Sequence, residues 1–156
     1  MDGSSAKVAW KGDKNKSRIA FYYLLAEKFG KEHGHFHTFL RPKGMPKSIR
    51  PVPVADYKES DGDNDALTHF VGIAMDRAGY PARLFTTNRW VTGETWYSAD
   101  SVNALLDRFH MDLAFPSWPV NIWTTAMLQL FRPQIEALVA TSAIVVLFTV
   151  LGLSSR

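Results

Sequence analysis

The chain of 156 residues contains no cysteine. That excludes disulfides, a thiolate nucleophile and cysteine-ligated zinc, and it fits a reducing compartment. The glycines of a nucleotide loop are also missing. Gly12-Asp-Lys-Asn-Lys-Ser17 ends in Lys-Ser, but Trp10 and Asn15 occupy both glycine positions of a P-loop. Asp61-Gly-Asp-Asn-Asp65 opens like a calcium loop, yet Ala66 and Gly72 stand where an EF-hand needs Gly and Glu. No Gly-x-Ser-x-Gly nucleophile pattern occurs, and no catalytic residue is assigned. Met1-Asp-Gly-Ser-Ser begins polar and lacks an apolar core, so no N-terminal signal is expected.

Charge is absent from Ala137 to Ser155. As a helix this stretch would run about 28 Å, close to the ~30 Å hydrocarbon core of a bilayer. Ten of its side chains are Leu, Ile, Val or Phe, and the hydroxyls of Thr141, Ser142 and Thr149 can bond back to helix carbonyls. It is expected to be a transmembrane anchor within 133–155. The protein would then be a single-pass, tail-anchored membrane protein. Its N-terminal domain would lie on the cytosolic or an equivalent internal side. Arg132 and Arg156 flank the anchor on opposite sides, so loop charge does not decide orientation.

Leu113 to Phe131 is a second uncharged stretch, but Pro116, Pro119, Asn121 and Gln129 interrupt it. Asn121, Thr125, Gln129 and Arg132 form a polar stripe, with Trp123, Ala126, Met127 and Leu130 opposite. This predicts an amphipathic helix over 113–132 lying on the lipid bilayer, with Trp118, Trp123 and Arg132 at the interface. A membrane hairpin turning through Arg132–Glu136 is the alternative.

Residues 1–110 are expected to form a small two-layer α+β domain. Lys7–Lys11 reads as a short strand. Ser17 is a candidate cap for a helix over Arg18–Phe29, closed by Gly30. His35–Leu40 alternates as a strand, with Phe36, Thr38 and Leu40 on one face and His35, His37 and Phe39 on the other. Leu67, Phe70, Val71, Ala74 and Ala78 recur at helical spacing, which predicts a helix over 66–78 ended by Gly79 and Pro81. Strands at 82–87 and 89–91 and a turn at Thr92-Gly93 suggest a hairpin with Trp90 near Trp96. Ser98 or Asp100 should cap a helix to about Phe109, with Val102, Leu105, Leu106 and Phe109 inward.

Between the strand and the next helix lies an arm, 41–63, carrying Pro42, Pro46, Pro51 and Pro53. Proline removes donors and favours extended backbone, so these four are candidate partner contacts. The charge balance reverses inside this arm: residues 1–50 carry +7 and residues 51–112 carry −5.

Two patterns suggest other chemistry. His33-Gly-His-Phe-His37 places three imidazoles at alternate strand positions, where His33, His35 and His37 could hold Zn²⁺ for a membrane-tethered hydrolase. His69 or the 61–65 carboxylates could complete that site. Lys14, Lys16 and Arg18, at an expected helix N-terminus, could contact a phosphate, an anionic lipid headgroup or nucleic acid, as an adaptor would. Neither pattern is specific. No small-molecule substrate is indicated, and no cofactor is required. The leading expectation is a non-catalytic accessory or structural subunit of a multi-subunit membrane complex, such as an energy-transducing assembly.

Overall fold

In a computed structural model of the chain, the described residues are 7–10, 19–25, 32–54, 66–87, 94–115 and 117–150. Five strands form one antiparallel sheet in chain order: β1 (Lys7–Trp10), β2 (Ile19–Leu25), β3 (Glu32–Leu40), β4 (Thr68–Asp76) and β5 (Pro81–Phe85). Among the described residues three α-helices follow: α1 (Ala99–Leu105), α2 (Trp118–Leu130) and α3 (Arg132–Val150). The α+β class is as expected; three other expectations are overturned.

The helix expected over Arg18–Phe29 is strand β2 where it is described, and the helix expected over 66–78 is strand β4. Thr68-His-Phe-Val-Gly-Ile-Ala-Met is a continuous run that is buried at every position. A strand buried on both faces loses its alternation, so apolar residues at helical spacing appear by default. Gly79 does take a left-handed conformation, at φ 86°, but to turn a hairpin rather than to end a helix. Asp76 organises that turn: its Oδ1 accepts from the amides of Ala78 and Tyr80 at 2.9 and 2.8 Å.

Two bulges adjust β3 against β4. Gly72 pairs with His37 and His69 with Phe39, so Phe70 and Val71 together oppose Thr38. The Thr38 hydroxyl serves the displaced backbone, donating to Val71 O at 2.9 Å and accepting from Val71 N at 3.3 Å. Phe70 and Val71 both enter the core as a result. At the other end, Glu32 pairs with Asp76 and Gly34 with Met75, which leaves His33 as the extra residue.

Ser98 caps α1 as expected, accepting from the Ser101 amide at 3.2 Å. Val102, Leu105, Leu106 and Phe109 are all buried, with Phe109 edge-on to Phe70 at 5.8 Å. The 89–93 part of the expected hairpin, including Trp90, lies outside the described residues, and 94–97 is not a strand.

The membrane anchor is the third correction. Among the described residues no helix is long and apolar enough to cross a membrane. The single-pass, tail-anchored assignment is withdrawn with it. Helix α3 carries the charged residues Arg132 and Glu136 near its start, and side chains from Ile135 to Ser142 are committed to the domain. Ile135 and Val139 are buried in the core, with Leu138 packed beside them, and Ser142 donates to Thr86 Oγ1 at 2.6 Å. Leu138 and Val139, which the span reading gave to the bilayer, instead pack in the core of the domain.

The described part of the proline-rich arm, 41–54, packs onto the domain. It starts with a 3-10 turn at Pro42–Gly44, and Met45 and Ile49 pack against the core. The Val52 amide donates to Trp96 O at 2.8 Å. Pro42, Pro46 and Pro51 are half-buried and Pro53 is exposed, while 55–65 lies outside the described residues.

Candidate functional site

Two regions carry the groups of interest. The first is the sheet face opposite the helices. Cross-strand register aligns His37, Gly72 and Phe85 in one row on β3, β4 and β5. Gly72 makes room for that row: a Cβ there would lie 2.4 Å from the Phe85 ring. Phe85 therefore lies over the sheet, edge-on to His35 and His37 at 5.5 and 5.7 Å, with the Arg83 guanidinium 4.8 Å from its centroid.

His37 Nδ1 and His69 Nε2 are 3.0 Å apart, so one ring donates and the other accepts. Both residues are buried. Burial, reinforced by its neighbour His35, lowers the His37 pKa to about 4; burial, reinforced by His37, lowers that of His69 to about 3. The pair is neutral at physiological pH. The His69 amide is held separately, donating to Glu94 Oε2 at 2.8 Å.

The three histidines of the sequence pattern do not form one set. The bulge makes His33 the odd residue, and it is exposed, whereas His35 is half-buried and His37 buried. The alternation needed to align all three breaks between His33 and His35. Among the described residues no group of three or more His, Asp or Glu side chains is arranged to hold a metal ion. His37 instead meets His69, from a strand that sequence spacing presents as a helix.

The second region is the turn into α2. The N-terminal half of the polar stripe expected to face outward faces inward, while Gln129 is exposed and Arg132 half-buried. Asn121 is fully buried, and Thr124 and Thr125 are buried beside it. Asn121 Nδ2 donates to Leu113 O at 2.8 Å and to Phe115 O at 3.1 Å, while Thr125 Oγ1 accepts from the Met111 amide at 3.0 Å. These bonds fix the 111–115 segment against the helix. Large apolar side chains are left outside: Leu113 is 52%, Phe115 69%, Trp118 55% and Leu130 70% exposed. Trp118 Nε1 donates to Asp112 Oδ1 at 3.0 Å, which orients its ring.

Of the other expected interface residues, Trp123 turns inward onto Phe36, with ring centroids 5.4 Å apart. Arg132 pairs with Asp107 and, at 2.7 Å, with Glu136. The amphipathic helix expected on a bilayer is thus a domain helix through most of its surface. Lys14, Lys16 and Arg18 lie outside the described residues, as does Asp61–Asp65.

A family model matches residues 12–143, which include the histidine face, the turn into α2 and the docked part of α3. The chain belongs to the family of the domain of unknown function DUF6969. No curated protein and no solved structure matches it. Both regions described above are thus features within the DUF6969 match.

Sequence spacing does not reveal the role of Asn121, because an inward amide and a solvent-facing one have the same helical period. What distinguishes it is the pair of loop carbonyls that it holds. Asn121→Ala is expected to cost about 1–3 kcal/mol by leaving those carbonyls unpaired. Urea unfolding of the variant, together with loss of protection of the 111–115 amides in hydrogen exchange, checks this.

Proposed function

We propose that the chain is a non-catalytic accessory subunit that docks on a partner protein through the surface of Leu113, Phe115 and Trp118. The turn into α2 carries this reading. Polar side chains are buried to hold the turn, and large apolar ones are displayed on it. Solvent does not favour that arrangement, whereas a partner surface does: aromatic side chains on a rigid support are the usual anchors of protein interfaces. Exposed apolar residues grouped on one turn support the reading more than the same residues scattered singly.

The test is native electrophoresis of the protein taken from its own cells, comparing wild type with Phe115→Ser/Trp118→Ser. The wild type is expected to migrate with a defined set of other chains. The variant is expected to bind about 30-fold or more weakly, as loss of a hot spot of 2 kcal/mol or more requires. Its melting temperature should stay within about 2 °C of wild type, because both side chains are exposed. A wild-type protein that migrates alone, at its own 17.6 kDa, overturns the proposal.

A further inference from the structure

Where α3, α1 and the 94–97 segment meet the sheet lies a partly open cavity of about 30 Å³. Its polar lining comes from β4 (Thr68, His69), the segment after β5 (Thr86, Thr87), Glu94, and α3 (Ser142). The volume is far below the roughly 300 Å³ of a small-molecule pocket, but it exceeds the about 10–15 Å³ that one water needs. One lining group lacks a protein partner: Thr87 Oγ1 is buried and makes no hydrogen bond. A buried hydroxyl without a partner carries its full desolvation cost, so native structures seldom leave one that way.

We infer that this cavity is a hydration site, holding about two ordered waters that complete the bonding of Thr87 and join α3 to the sheet. The site has what a buried water requires: enough volume, and several polar groups converging from different elements. The Ser142–Thr86 hydroxyl contact marks the wall where helix and sheet already meet. Water then extends that polar seam inward, towards the bond from the His69 amide to the Glu94 carboxylate.

Thr87→Val decides the matter by the sign of its effect, because Val has the shape of Thr without the hydroxyl. If water bonds the hydroxyl, the variant loses that bond and its melting temperature falls by about 2–4 °C. If the hydroxyl sits in a dry void, removing it relieves an unpaired polar group and the melting temperature rises; that result overturns the inference. Water-to-amide magnetisation transfer on the wild-type protein gives a second readout, should the variant fail to fold. Long-lived water contacts at Thr87 and Ser142 are expected, and their absence overturns the inference. A melting temperature that rises in NaCl or KCl over choline chloride at equal ionic strength would assign the cavity to a cation and overturn it as well.

Discussion

Ile135→Ala is expected to lower the stability of the domain by about 2–5 kcal/mol, the usual cost of emptying a buried isoleucine site. Ile135 is completely buried, in a core shared by the sheet, α1 and α2. Total stabilities of about 5–15 kcal/mol are normal, so this one change removes a large part of the margin. The measurement is a urea transition followed by a signal from the sheet or from the tryptophans. Ala137→Ser is the control: Ala137 is exposed on the same helix, and its change should stay within about 0.5–1 kcal/mol. If α3 were an appendage outside the domain, Ile135→Ala would leave the midpoint unchanged, and the assignment of this helix to the core would be lost.

Mild acid is expected to unfold the protein through His37 and His69. In the folded state their pKa values are about 4 and about 3, below the ordinary value of 6.5. Below about pH 6.5 the unfolded chain takes up protons at both positions while the folded pair stays neutral. Stability is therefore complete above that pH and is lost as the pH falls. Each group contributes about 1.4 kcal/mol per pH unit, so together they remove roughly 2.7 kcal/mol per unit between pH 6.5 and about 4. Below the His37 value, protonation of His69 alone continues the loss down to about pH 3.

Thermal melts between pH 7.5 and 4.5 should show that slope, and His37→Gln/His69→Gln should flatten it. The double variant is expected to be the less stable protein at pH 7.5 and to lose less of its stability on acidification. A wild-type stability that is level from pH 7 to pH 5 would contradict the neutral buried pair.

The parts of the fold that could be read in advance are those with one dominant local signal. Ser98 caps a helix whose large apolar side chains turn inward, and Glu32–Leu40 is a strand as the His35–Leu40 pattern predicts. Where two faces are buried, that signal disappears. Strand β4 is buried at every position from Thr68 to Met75, so its apolar spacing fits a helix as well as a strand, and only pairing with β3 and β5 decides. The histidine pattern fails for a related reason: a bulge moves His33 out of step, and no spacing rule announces a bulge. In α3, hydrophobicity alone does not distinguish a bilayer from a protein core as its destination. The charged first turn and the Ser142–Thr86 contact favour the core. The exposed turn at Phe115 and Trp118 was legible only in part. Trp118 stands out as an interfacial aromatic, but the inward Asn121 beneath the turn does not.

Among the described residues strand β5 closes one side of the sheet, and a terminal strand is a template on which another chain can polymerise. Its composition works against that. Pro81 has no amide hydrogen to offer, Ala82 is an extra residue that breaks the regular ladder, and Arg83 places a cation beside the Phe85 ring. A foreign strand arriving there meets a missing donor, an irregular backbone and a fixed positive charge. The Arg83 guanidinium that lies over Phe85 thus also works against strand addition along this edge.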